Sequence, residues 1–205
     1  CALTAKHLQD QGYQVEKFRA PQYGTKSAAP VEEYIKGTYG PMDTVSPFAA
    51  ALLFAVDHFD MGLKIKQALI DNKIVLADRY VPSNIAYQGA RIEIPAGKDN
   101  FIKWITRIEY DALELPRPDC VIFLHVPPQV SFELARNRAS QNNHGQDQYE
   151  RNLKFQKNVD TMYLSMAKND NSIKVIECAP DGILLPAGQI NTLALNQIKK
   201  ILSPV

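Results

Sequence analysis

At 205 residues, with 45% apolar and 22% charged residues, the chain can bury a sizeable core and is read as a single domain over residues 1–205. Its 23 Lys and Arg against 22 Asp and Glu leave a net charge of +1 without any block of like charge, which excludes a polybasic surface for nucleic acid or for an anionic membrane. The expected partner is a small molecule or a second copy of the chain.

Cys1 to Gln11, with Leu3, Ala5 and Leu8 before Gly12, reads as a helix with glycine just past its end. Tyr13 to Phe18 reads as a short strand, and Arg19 to Ala29, with Pro21, Gly24 and Ser27, as a loop. Pro30 fits the first turn of another helix. Ser46-Pro47 then predicts a helix start, with Ser as cap and Pro at the first helical position, and apolar positions continue through Leu69. The breadth of that apolar face predicts burial on more than one side and a two-fold dimer seam. Its most apolar stretch, Pro47 to Val56, is too short to span a bilayer.

Lys73 to Asp78 is an apolar run closed by an acid, the pattern of a parallel strand covered on both faces, and Cys120 to Val126 and Ile173 to Cys178 repeat it. Helical patterns lie at Lys98 to Leu113, Val130 to Arg138, Tyr149 to Lys168 and roughly Ile190 to Ile201. Alternating strands and helices predict an α/β fold built on a parallel sheet. Ser140 to Gln148 is polar throughout and is read as a surface loop. Cys1, Cys120 and Cys178 have no C-x-x-C spacing, and the last two sit in apolar runs, so reduced thiols and the cytoplasm are expected.

In an open parallel sheet ligands bind beyond the carboxyl ends of the strands, where Asp78-Arg79-Tyr80 falls. An acid there can organise Mg²⁺, and an arginine fork can hold a phosphate through two parallel hydrogen bonds. The same pair also fits an ordinary strand-end ion pair, and on these two residues alone both readings stay open.

The segment Asp78-Arg79-Tyr80-Val81-Pro82-Ser83-Asn84-Ile85-Ala86-Tyr87-Gln88-Gly89 resembles the DRY-x-x-S-x-x-A-Y-Q-G signature of thymidylate kinases. The resemblance extends through Pro21-Gln22-Tyr23-Gly24, Leu53-Phe54-Ala55 with Asp57, Leu115-Pro116-Arg117-Pro118-Asp119 and Gln148-Tyr149-Glu150-Arg151. It implies the P-loop nucleoside monophosphate kinase fold, a homodimer, ATP with Mg²⁺ as donor and dTMP as acceptor. By the same resemblance Arg79 contacts the acceptor phosphate and Asp78 attends the metal. Ser83, Asn84, Tyr87 and Gln88 line the nucleoside with Pro21, Tyr23 and His58, and Phe54 stacks on thymine. Arg136 and Arg138 match lid arginines that reach the transferring phosphoryl group, residues 139–148 match the lid loop, and Glu150 matches an acid near the metal.

Three departures accompany the match. His58 stands where the family usually has arginine, and Gln22 stands where many members have arginine, so two fixed charges near the acceptor are absent. The G-x-x-x-x-G-K-[ST] loop that cradles donor phosphates does not occur in the sequence, and the resemblance places it and its strand ahead of Cys1. A kinase for another deoxynucleotide or nucleoside, and a nucleotide-binding homologue without catalysis, are the alternatives to dTMP phosphorylation.

Overall fold

The computed structural model describes residues 1–142 and 152–202, with side chains described through Asn137 and again from Asn152. The described chain packs as two units, Cys1–Arg117 and Pro118–Val205.

The first unit opens with helix α1 (Ala2–Asp10), strand β1 (Val15–Arg19) and helix α2 (Ala29–Lys36). Pro30 sits in the first turn of α2, and Gly37 ends it in the left-handed conformation at φ 87°, donating its N–H to the Tyr34 carbonyl. Helix α3 (Pro47–Ile70) begins as its sequence predicts, with Ser46 Oγ accepting from the Phe48 N–H at 3.2 Å. Strand β2 (Ile74–Asp78), helix α4 (Val81–Gly89), helix α5 (Pro95–Thr106) and a π-helical turn (Arg107–Ala112) complete the unit. The sequence pattern reads the last two as one helix, and the Leu113 N–H donating to the Ile108 carbonyl marks the wider turn.

Strands β1 and β2 are parallel, with Val15 opposite Ile74 and Arg19 opposite Asp78, so both strands end at one edge. Leu8, Val31, Tyr34, Met61, Val81, Phe101 and Ile105 form the buried interior on the helices. Burial of β2 falls short of the expected cover on both faces: Leu76 is half-buried and Ala77 exposed. Among the described residues this sheet has two strands, so each strand keeps one edge without a neighbour.

The second unit contains strand β3 (Val121–His125), helix α6 (Pro128–Asn142), helix α7 (Leu153–Asn169), strand β4 (Ile173–Glu177), a 3₁₀ turn (Pro180–Gly182) and helix α8 (Ala187–Leu202). Strands β3 and β4 are again parallel, from Val121 opposite Ile173 to His125 opposite Glu177. Ile176, Cys178 and Ala194 form a small core with Ile122, Val126 and Ile190 packed on it. At the carboxyl edge His125 lies between two acids, Nε2 at 3.0 Å from Asp160 and Nδ1 at 2.5 Å from Glu177. Burial pushes the Cys120 and Cys178 thiols up, so both stay protonated at neutral pH.

The boundaries differ most from the sequence reading at two places. Helix α6 runs to Asn142, past Arg138, and takes the first residues of the expected loop; the remainder of that loop lies outside the described residues. Helix α7 begins at Leu153 because Asn152 Oδ1 accepts from the Phe155 N–H at 3.0 Å, a cap that the apolar periodicity does not reveal.

Because Ser46 supplies a side-chain acceptor to the first turn of the longest helix, Ser46→Ala should cost about 1 kcal/mol in a urea titration, and Ser46→Asp should restore most of it.

Candidate active site

Site geometry starts at the carboxyl edge of β1 and β2. The Ala20 N–H donates to the Asp78 carbonyl at 3.0 Å, which continues the ladder to the last residue of β2. Arg79 then turns the chain at φ 68°, a left-handed conformation disfavoured for a residue with a side chain and concentrated at functional sites. Its guanidinium carbon stands 5.0 Å from the centroid of the Tyr87 ring on α4. Asp78 is exposed at this edge, as is Arg19, whose guanidinium lies 5.7 Å from the Tyr23 ring. The sequence reading leaves Arg19 as the start of a loop; only the register places it opposite Asp78.

Among the described residues no group of three His, Cys, Asp or Glu is arranged to hold a metal by itself. A single exposed carboxylate fits Mg²⁺, which keeps several waters and is usually shared with phosphate oxygens.

Behind this edge lies a buried polar knot joining α3, α4 and the π-helical turn. Glu109 is fully buried, with Oε2 at 2.6 Å from His58 Nδ1 and Oε1 accepting from Asn84 Nδ2 at 2.7 Å. Asn84 Nδ2 also donates to the Ala51 carbonyl at 2.9 Å. Both partners of that nitrogen are acceptors, so the orientation of the Asn84 amide is forced. Its Oδ1 is left buried and without a hydrogen-bond partner among the described residues, as is the Tyr80 hydroxyl. The Tyr80 ring lies 5.4 Å from the His58 ring, and burial raises the Tyr80 hydroxyl above its usual range, keeping it a neutral group. Phe54 shares the α3 face that carries Ala51 and His58, and packs edge-on to Tyr34 at 6.3 Å between centroids.

A second knot ties the loop after β1 to α3. Asp57, fully buried, accepts from the Gln22 N–H at 3.0 Å and from Ser27 Oγ at 3.0 Å. Gln22 Nε2 donates to Asp60 Oδ2 at 3.0 Å and to Asp57 Oδ1 at 3.1 Å, while Gln22 Oε1 accepts from Lys64 at 2.9 Å. Lys64 also donates to Asp60 at 2.6 Å, so a lysine on α3 supplies the positive charge that Gln22 lacks. Pro21 lies buried at the root of this loop after a cis Ala20-Pro21 bond, and Tyr23 is exposed beyond it. At the far end of α4, Arg91 donates to Gln88 Oε1 at 3.0 Å, to the Tyr34 hydroxyl at 3.1 Å and to the carbonyls of Met42 and Val45.

The first unit therefore gathers Asp78 and Arg79 at a strand edge, Phe54 and His58 on α3, and Ser83, Asn84, Tyr87 and Gln88 on α4. His58 is not a free reader at the surface: it is 2% exposed and bound to Glu109. Glu109 itself escaped the sequence reading, although a signal was there. It continues the spacing of Phe101 and Ile105, both buried, and so stands where an apolar residue is expected. Arg136 lies exposed on α6 of the second unit, while the side chain of Arg138 and all of Glu150 are outside the described residues.

A family model described as thymidylate kinase matches residues 1–182. The chain belongs to the thymidylate kinase family. Thymidylate kinase from Mycobacterium tuberculosis is 35% identical over 159 residues, which make up 76% of this chain and 73% of that protein. The enzyme of Alteromonas mediterranea is 34% identical over 176 residues, covering 85% of this chain and 73% of its own. Thymidylate kinase of Candida albicans has the same fold, with a TM-score of 0.70 at 20% identity over 97% of this chain and 85% of that one.

The hydrogen bond from Lys64 holds the Asp60 carboxyl below its usual range; burial opposes this, and bonds from Gln22 and Ser27 add to it. A carboxyl whose folded value is depressed contributes stability above its unfolded value and loses it as pH falls through the folded one. Urea midpoints should therefore fall less steeply below about pH 4 in Asp60→Asn than in the unsubstituted protein, and equal slopes would show that the pair contributes nothing.

Proposed function

We propose that the first unit is the acceptor side of the active site, and that the nucleoside of dTMP sits against Phe54, His58, Ser83, Asn84, Tyr87 and Gln88. As a member of the thymidylate kinase family the chain carries out ATP-dependent phosphorylation of dTMP to dTDP. The observation that carries the placement is the buried Asn84 Oδ1, a polar atom without a partner among the described residues, on the short helix that follows the arginine at the strand edge. Such an atom costs stability unless a ligand supplies the donor.

In this reading Arg79 holds the acceptor phosphate, its guanidinium kept in place by the Tyr87 ring and by the left-handed turn beneath it. Phe54 offers its ring to the thymine face, while Pro21 and Tyr23 close the site from the loop that Gln22 fastens to α3. Asp78 would hold Mg²⁺, directly or through its waters, and the metal when bound would offset charge on the donor oxygens. Arg136 and Arg138 act on the transferring phosphoryl group, and Glu150 near the metal. Thiols that remain protonated fit a reducing cytoplasm.

Turnover should need Mg²⁺ and cease in excess EDTA. Asp78→Asn should keep the unfolding temperature of the parent and lower kcat, because the side chain is exposed and packs little; unchanged kcat would return Asp78 to a strand-end role.

The homodimer belongs to the same reading and rests on α3. Phe48, Leu52, Val56, Phe59 and Leu63 are each at least 40% exposed and recur at spacings of four and three, which lines them along one side of the helix. A two-fold partner laying the same stripe against it would bury both. Val56→Glu with Leu63→Glu should convert a dimer to a monomer in sedimentation, while an unchanged mass would place the seam elsewhere.

A further inference from the structure

We propose that Glu109 is a positioning residue that sets the pyrimidine selectivity of the acceptor site, by fixing which end of the Asn84 amide is offered to the base. The proposal rests on the reading that Asn84 faces the nucleoside, and adds a residue that touches no ligand.

An amide side chain can be turned end for end at little steric cost, and the two orientations offer a ligand opposite things: an oxygen that accepts, or an NH₂ that donates. At Asn84 the choice is made by its surroundings. Glu109 Oε1 and the Ala51 carbonyl both accept from Nδ2, at 2.7 Å and 2.9 Å, and use both of its hydrogens. Turning the amide over would set Oδ1 against two acceptors among buried groups, which costs more than the bond gained elsewhere. A buried oxygen without a partner is what remains.

That oxygen suits a base whose ring N3 carries hydrogen, as thymine and uracil do, and it opposes cytosine, whose N3 is itself an acceptor. A site built to pair one ring hydrogen rejects the base that lacks it, because its own buried group is then left unpaired.

Glu109 is suited to hold this setting. It is fully buried, and its second oxygen is occupied by His58 Nδ1 at 2.6 Å, so one carboxylate is pinned from α3 and acts on α4. It stands in a π-helical turn, whose extra residue changes the direction of the side chains, and the backbone there is held further by the Leu115 N–H donating to the Glu109 carbonyl at 3.1 Å. Glutamine has the same shape but can present NH₂ in place of an oxygen to Asn84, so Glu109→Gln leaves only the Ala51 carbonyl as an obligate acceptor and lowers the cost of turning the amide over.

The experiment measures Kd by calorimetry for dTMP and dCMP without ATP, and kcat/KM for both with ATP and Mg²⁺, in the full-length protein and in Glu109→Gln and Asn84→Ala. Thermal unfolding is followed in parallel. The expected result for Glu109→Gln is a dTMP-to-dCMP preference reduced about tenfold or more in both measurements, through weaker dTMP and stronger dCMP binding. A merely structural role would weaken both nucleotides in proportion and leave the preference unchanged, which would overturn the proposal. Should Glu109→Gln fail to fold, Glu109→Asp replaces it: the shorter carboxylate cannot reach His58 and Asn84 together, the same loss of preference is expected, and a preserved preference counts against Glu109. If Asn84→Ala alters the preference while the Glu109 variants do not, the Glu109 proposal alone falls. If Asn84→Ala also leaves it unaltered, the placement of the base against Asn84 falls with it.

Discussion

A carboxylate removed from water has to be surrounded by donors, and in this protein that requirement organises the site. Glu109 is completely enclosed, and its two oxygens take a hydrogen bond from α4 and a ring nitrogen contact from α3. Removing either partner would leave a buried carboxyl oxygen without its hydrogen bond, a loss of about 1–3 kcal/mol in typical cases. The relative position of α3, α4 and the π-helical turn is therefore specified by polar geometry in addition to apolar fit. Apolar surfaces can slide past one another by a fraction of a turn, whereas bonds of 2.6 and 2.7 Å to one carboxylate cannot.

Helix α3 carries several duties on different faces, and its sequence is divided accordingly. Ala50, Ala51 and Ala55 and Met61 are buried against the rest of the first unit, and small residues there let α4 approach closely enough for Asn84 to reach the Ala51 carbonyl. Asp57, Asp60 and Lys64 fasten the loop after β1, so Gln22 can be neutral without leaving two acids uncompensated. Phe48, Leu52, Val56, Phe59 and Leu63 remain on an exposed side. Gly62 reflects the same crowding, since a Cβ there would fall 2.5 Å from Leu115 Cδ2.

The order and type of the helices and strands were legible because they depend on local chemistry. Ser46-Pro47 starts α3 where a cap and a proline predict it, and the apolar run to Asp78 is a parallel strand ending at the candidate site. Boundaries set by a side chain in an unremarkable stretch were not legible, as with Asn152 at the start of α7. The polar knots were the least legible. Gln22 reads in the sequence as a missing charge, yet its partners on α3 lie 35 to 42 residues away, and only the fold shows Lys64 restoring the cation. His58 likewise reads as a weakened base contact, and the residue that explains it is 51 positions further on, in a turn that periodicity presents as plain helix.

Arg79 shows how backbone and side chain are fitted to one another at the edge of the sheet. A strand that ended in ordinary extended geometry would carry the next side chain on along the strand direction, away from α4. At φ 68° the chain turns sharply, so that Tyr80 is buried beside His58 while Arg79 stays exposed and reaches the Tyr87 ring. Holding a non-glycine residue there costs about 1 kcal/mol or more, and glycine would relieve it. Glycine, however, has no guanidinium. The strain is therefore the consequence of placing a sharp turn and a long cation at the same residue, and the Tyr87 ring on α4 returns part of that cost by holding the cation in place. The same turn brings the buried Tyr80 ring beside His58 in the knot around Glu109, so the exposed Arg79 and the buried Tyr80 take opposite environments at one backbone turn.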